Sequence, residues 1–294
     1  MRNQLTINGV DLCAHFGGMI NAMEIYFVIR GIKPATRVFI SDLEKTGVLS
    51  KIDDRIRCVV ADFVCQFETE KSKNGYSNKF RSHQIRDGDI PEGYTCPIYI
   101  SLNEDMANEA KRADGENSAY LGLLFGYPEC CIDFYRRNSP KLSKTSNDFV
   151  LESLSGNDYL SSASFMMNYA VRYYDYSLLS HFSCSLHCHD SLAIAKERYK
   201  MIRNEYPGFA KEMCYRLSSM VLYSEKHGIF YTPEYEIMDN NIAAVKYRGF
   251  IGVEGAFLKK LRNCNELRVE RNDHLVLLSD GTALPDVDAV MCYS

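Results

Sequence analysis

The sequence predicts an α+β protein, with a helical central region carrying the cysteine motifs between N- and C-terminal segments that contain strands. Three observations lead there. Runs rich in β-branched and aromatic residues, such as Arg37-Val-Phe-Ile-Ser and Leu275-Val-Leu-Leu, lie toward the two ends. Between Asn103 and His227 apolar residues recur instead at helical spacing, behind capping residues. The same middle holds Cys130, Cys131, Cys184 and Cys188, four of the 11 cysteines. The expected division is an α/β segment over 1–100, a helical cysteine-motif domain over 101–228, and a β-rich segment over 229–294.

In chain order, Leu5-Thr-Ile is a short strand candidate, and the dense apolar run from Leu12 to Arg30 predicts a buried helix stopped by Gly31 and Pro34. Strands are expected at Arg37–Ser41, Arg57–Phe67 and Tyr94–Leu102. The polar stretch from Glu68 to Arg86, with Lys71, Lys73, Lys79 and Arg81, reads as an exposed loop. Asn103 can cap a helix through Met106 and Ala110, and a short helix with Leu121 and Leu124 ends at Gly126. Pro128 sits where the next helix begins, and Asn138-Ser139-Pro140 would break it. The aromatic and methionine-rich run Ser162–Leu179 predicts a core helix. Asp190 can cap a longer helix with Leu192, Ala195, Tyr199 and Ile202, and another helix carries Met213 to Val221 and ends at His227-Gly228. Strands return at Ile242–Tyr247, Leu267–Arg271 and from Leu275, with a helix around Ala256–Leu261 between the first two.

A chain of 294 residues accommodates two domains or one large one. The formal net charge of −4 argues against a protein held on nucleic acid by its overall field. No apolar run approaches the ~20 residues that span a bilayer, and the start lacks the apolar stretch of a secretory signal. A cytoplasmic protein is expected, and in that reducing compartment the cysteines read as thiols and metal ligands rather than disulfides.

The chemistry is concentrated in Gly126-Tyr-Pro-Glu-Cys-Cys131 and His181-Phe-Ser-Cys-Ser-Leu-His-Cys-His-Asp-Ser191. Cys130 and Cys131 fall in the first turn of a helix, where free N–H groups and the positive helix end favour thiolate. Adjacent helical residues point about 100° apart, which suits two irons of a cluster, or one ligand and one free thiol, better than two corners of a zinc site. Cys184 and Cys188 are four apart, able to share a helix face or close around one ion. If Asp190 caps the following helix, the second group also sits at a helix N-terminus, and the two groups form one site. An iron–sulfur cluster of the [4Fe–4S] type is the first reading, zinc the second, and metal-free thiols the third. The C-x3-C spacing lacks the third cysteine of the radical S-adenosylmethionine pattern.

These two motifs resemble the uncharacterised prokaryotic family called domain of unknown function 483. The resemblance covers roughly Leu121 to Ala195. It implies a cytoplasmic microbial protein and carries no activity with it. Where the family pattern has a proline before the first cysteine of the second motif, this chain has Ser183.

The function expected first is a cysteine-ligated metalloenzyme doing redox or sulfur-transfer chemistry on a small-molecule or peptide substrate. Cys130, Cys131, Cys184 and Cys188 would be the ligands, with Glu129 and His181 moving protons. The alternatives are a zinc-stapled RNA-binding module and a metal-free thiol enzyme. RNA contact would use Lys246, Arg248, Lys259, Lys260 and Arg262, with Tyr247 and Phe250 interleaved to stack bases. No glycine pattern matches a dinucleotide or phosphate loop, and Gly17-Gly18 beside His15 reads as helix packing.

Overall fold

A computed structural model describes residues 5–66, 90–142, 149–154, 160–238, 244–270 and 274–294, and the backbone of 81–84. Lys71, Lys73, Lys79 and Arg271, singled out above, lie outside the described residues, as does most of the stretch expected to loop from 68 to 86. The architecture is α+β, as expected.

The N-terminal part begins with a small ribbon of β1 (Thr6–Ile7) and β2 (Val10–Asp11), then α1 (Leu12–Phe16) and α2 (Met19–Ile29). One helix was expected from Leu12 to Arg30, and two are found. Gly17 takes φ +77°, and the Asp175 carboxylate caps α2 through the N–H groups of Met19 (2.5 Å) and Ile20 (3.0 Å). A Cβ at Gly18 would meet that carboxylate at 3.0 Å, so the small residue there makes room for a cap from a distant loop. Next come β3 (Ala35–Ile40), α3 (Thr46–Ile52), β4 (Arg57–Val60), β5 (Phe63–Gln66), β6 (Arg81–Gln84) and β7 (Cys96–Ser101). The antiparallel order β3-β7-β4 puts the wholly buried β7 in the middle. The strand expected over Arg57–Phe67 is broken at Ala61-Asp62, so that β5 pairs with β6 instead.

The central helices are α4 (Glu104–Ala113), capped by the Asn103 side chain, α5 (Ser118–Leu124), α6 (Glu129–Leu142) and α7 (Val150–Leu154). Helix α6 continues through Pro140, which lies in its last turns and does not break it there. The run Ser162–Leu179 is not a helix. It supplies the end of strand β8 (Leu160–Ala163), two short 3-10 turns at Phe165–Met167 and Ala170–Tyr174, and irregular chain beyond. Tertiary anchors override its helical composition. Buried Asn168 donates to the Leu217 carbonyl (2.8 Å) and Ser219 Oγ (3.0 Å), and Asp175 adopts φ +66° where it caps α2.

Helices α8 (His189–Glu205) and α9 (Pro207–Leu217) follow, then β9 (Met220–Ser224) and β10 (Gly228–Thr232). Met220 to Ser224, expected as the end of a helix, forms a buried strand. Its run of apolar residues fits a strand inside a sheet equally well, and periodicity alone does not separate the two. The position expected as a domain boundary, 228, falls at the turn of this hairpin. The chain ends with β11 (Tyr235–Ile237), β12 (Ala244–Tyr247), α10 (Ala256–Asn263), β13 (Glu266–Glu270), β14 (Leu275–Leu278), β15 (Ala283–Leu284) and β16 (Ala289–Tyr293). Strands β11 to β15 form an antiparallel meander, while β16 returns to pair with β9 and, in parallel, with β8. Among the described residues no helix is long and apolar enough to cross a membrane.

One feature inside the large core breaks the apolar pattern. Glu24 on α2 pairs with Lys33 and accepts from Thr36 Oγ1 at 2.8 Å, while Arg198 of α8 approaches it at 3.7 Å. Lys33 also donates to Ser180 Oγ at 3.0 Å, and Arg198 to the Leu178 carbonyl at 2.9 Å. Burial alone opposes ionisation of Glu24, yet Lys33 and Arg198 hold its pKa down to about 2 from the ordinary 4.5. Its contribution to stability is therefore complete above pH 4.5 and is lost as pH falls from there toward about 2. Glu24→Gln leaves two buried cations without their counter-charge, and chemical denaturation at neutral pH should show a loss of about 3–5 kcal/mol. The gap from wild type should narrow as the titration is carried into that acid window.

Candidate metal centre

The first motif owes its course to two close approaches. Gly126 takes φ +71°, and a Cβ there would meet the Pro34 ring at 3.0 Å. Gly122 lets Ile132 approach so closely that a Cβ would stand 2.9 Å from its side chain, which brings α5 against the start of α6. Pro128, which has no N–H, accepts the first helical bonds at its carbonyl from the Cys131 and Ile132 N–H groups. Cys130 and Cys131 follow as the second and third residues of α6, in the first turn as expected.

The second motif arrives along the irregular chain that Asn168 and Asp175 anchor. Cys188, not Asp190, caps α8: its carbonyl accepts from Leu192 N at 3.0 Å, and Asp190 lies in the first turn. Two helix N-termini thus converge.

Their sulfurs meet. Cys130 Sγ lies 3.8 Å from that of Cys131 and 3.6 Å from that of Cys188, and Cys131 and Cys188 are 3.7 Å apart. With Cys184, all four lie within 4.8 Å of one another, a set able to hold a metal ion. All the cysteines are free thiols. Although adjacent helical positions project about 100° apart, the two sulfurs of the vicinal pair stand only 3.8 Å apart. In a first turn no preceding helical turn restricts the rotamers, so the two side chains can swing together.

Hydrogen bonds hold the sulfurs unequally. Cys131 Sγ receives the Cys184 backbone N–H at 3.4 Å and lies 3.2 Å from Ser191 Oγ. Cys188 is buried, which opposes ionisation, yet donors from the Ser191 side chain and backbone bring its pKa down to about 7. Burial, followed by the bond to Cys188, pushes Cys130 up to about 12. Burial and the charge of Cys131 raise Cys184 as well.

Ser191 is the hub that the sequence reading did not single out. Besides Cys131 it bonds His181 Nε2 at 2.8 Å and receives Ser183 Oγ at 3.2 Å. His181, expected as an acid–base group, is buried behind the sulfurs rather than among them, with its ring 4.9 Å from that of Tyr127. Burial, then the charges of Arg198, Lys33 and Arg172, depress its pKa to about 3. Glu129 is exposed at the start of α6. His187 is exposed too, and His189 pairs with Asp190 at 3.2 Å on the surface. An aromatic stack of Tyr135, Phe149 and Phe182, with ring centroids 5.0 and 4.6 Å apart, packs beside Cys184.

Lys33, Glu24 and Arg198 complete the surroundings of His181. A signal for two of them exists in the sequence. Glu24 interrupts the apolar run of α2, and Arg198 falls on the same face of α8 as Ser191, Ala195 and Ile202. In the C-terminal part, Lys246, Arg248, Lys259, Lys260 and Arg262 are exposed, but Tyr247 and Phe250 are buried against each other and offer no face to a base. Arg262 pairs with Glu254 at 2.8 Å.

Comparison of the chain with protein-family models, curated proteins and solved structures gives no match. The resemblance stated above rests on its two motifs alone.

With its pKa near 3, His181 stays neutral across physiological pH. If its Nε2 carries the proton toward Ser191, imidazole NMR should show one tautomer with unchanged shifts from pH 8 to about pH 4.5.

Proposed function

We propose that Cys130, Cys131, Cys184 and Cys188 bind one metal ion, zinc in first place, and that the centre staples the helical middle of the protein together. The observation that carries this reading is the sulfur spacing. Four thiolates at about 2.3 Å from a single tetrahedral zinc stand about 3.8 Å apart. Three of the sulfur pairs lie at 3.6, 3.7 and 3.8 Å. In a four-iron cluster each thiolate ligates a different iron outside the inorganic cage, so the sulfurs stand well apart. The spacing therefore favours one ion over the [4Fe–4S] cluster that the sequence motifs put first. An all-sulfur tetrahedron is also the donor set that zinc and iron share, and metal analysis distinguishes them.

The elements joined explain what the ion does for the fold. Helix α6, helix α8 and the irregular chain between β8 and α8 each bring cysteines to this point, and a bound ion would tie them together beyond the packing of Phe165 on Tyr199 and of Phe149 on Phe182. Closing a loop of more than fifty residues with a metal clip constrains the unfolded chain strongly. The RNA-binding alternative finds less support, since the aromatic residues it needs lie in the core.

Protein prepared without oxygen should carry one zinc per chain and be colourless. A brown preparation with several irons per chain would replace this reading with the cluster. Cys188→Ala should release the metal and lower the thermal midpoint, because it removes both a ligand and the sulfur that Ser191 supports. Ser191→Ala keeps all four ligands but deletes their shared hydroxyl, and competition with a chelator should show affinity lower by about 10–100-fold.

A further inference from the structure

The four sulfurs face different surroundings. Cys131 and Cys188 are buried and supported by Ser191, and the Cys184 N–H also points at Cys131. Cys184 is half-buried beside the Phe134–Phe149 cluster. Cys130 alone of the four is exposed. Among the described residues no N–H or O–H group donates to it. Its polar neighbour outside the cluster is the Asp190 carboxylate, at 4.0 Å.

This asymmetry has chemical consequences. Coordination keeps a thiolate deprotonated at neutral pH, and a metal-held thiolate is an established type of activated nucleophile. Donors that stabilise a thiolate's charge also reduce its nucleophilicity, and three of the sulfurs lie in such surroundings or are shielded from solvent. Cys130 is neither. Charge then selects the reagent. One divalent ion with four thiolates carries two net negative charges, and the exposed Asp190 carboxylate, 4.0 Å from Cys130 Sγ, adds to them at the open side. A cationic carbon electrophile is drawn to such a face and an anionic one is repelled.

Building on the single-ion reading, we infer that Cys130 is an alkyl-accepting thiolate whose donors are cationic sulfonium compounds. The Cys130 Sγ lone pair forms a bond to the donor carbon as the bond from that carbon to the sulfonium sulfur breaks. The electron pair of the broken bond leaves on that sulfur as a neutral thioether. No proton moves and nothing is oxidised or reduced. The product is a thioether at Cys130 and a centre with one negative charge fewer.

The test uses the zinc-loaded full chain and trimethylsulfonium ion. Native mass spectrometry reads the metal before the reagent is added, and peptide mapping then locates the methyl group. The expected result is one methyl on Cys130, transferred on the order of tenfold faster than to Cys264, which serves as a control thiol in the same chain. Cys130→Ser should keep zinc and take no methyl at the centre. Asp190→Asn, which leaves every ligand in place, should slow trimethylsulfonium relative to neutral iodoacetamide, and it keeps the test valid if the serine variant does not fold. Methylation of a different cysteine of the zinc-loaded protein would overturn the inference, as would a Cys130 no faster than Cys264 or an unchanged reagent ratio in Asp190→Asn. A wild-type chain found without metal at the first step would instead remove the metal reading, and this inference with it.

Discussion

Four sulfur atoms within 4.8 Å of each other are a demanding thing to build, because thiolates at that distance repel and thiols there gain little. The middle of the chain is organised around offsetting that repulsion. Two helices, α6 and α8, point their N-terminal ends at the cluster, and each end contributes unsatisfied N–H groups and a partial positive charge. The turn at Gly126, the close packing at Gly122 and the anchors of Asn168 and Asp175 all serve to bring those two ends together from sites more than fifty residues apart. The four sulfurs form a set able to hold a cation, which would complete the balance.

A second layer of charge lies deeper. Lys33 and Arg198 share the single carboxylate of Glu24, so the pair of cations exceeds its counter-charge inside the core. In isolation that imbalance would be costly. Here it faces, through neutral His181 and the Ser191 hydroxyl, a cluster whose charge is negative whenever its thiolates are formed. The excess of positive charge in the core and the excess of negative charge at the centre are complementary. Their separation by a hydrogen-bonded pair of uncharged side chains keeps Lys33 and Arg198 from competing as partners for the sulfurs. Lys33 instead lies over the Tyr127 ring, 5.0 Å from its centroid, in the turn that precedes the cysteine pair.

Much of this was legible in the sequence, for identifiable reasons. Gly126, Pro128 and the helix behind them obey local rules, so the first-turn position of Cys130 and Cys131 could be read without tertiary knowledge. The same holds for the Asn103 cap and for most strands of the terminal segments. What failed was decided by distant partners. Ser162–Leu179 has the composition of a core helix, but Asn168 and Asp175 are committed to Leu217, Ser219 and the start of α2, none of which is near in sequence. Met220–Ser224 continues an apolar pattern from α9 and becomes a strand because β16, at the far end of the chain, pairs with it. Ser191 and Lys33 carry no local signal at all, since a serine in a first helical turn and a lysine after a helix are both ordinary.

The choice of a vicinal pair as one half of the centre has a consequence of its own. Successive residues on a helix project about 100° apart, so when one of two adjacent cysteines faces the core, the other is turned toward its edge. Cys131 is buried and Cys130 exposed for this reason, although their sulfurs stand only 3.8 Å apart. In the C-x3-C pair Cys188 is buried, and Cys184 is half-buried beside the aromatic cluster. A centre assembled from two knuckles of spaced cysteines could hold all its ligands inside. Adjacent cysteines in a first helical turn instead give one site both a sheltered thiol and a thiol at the surface, and the hydrogen-bond donors of Ser191 and Cys184 reinforce the sheltered side only.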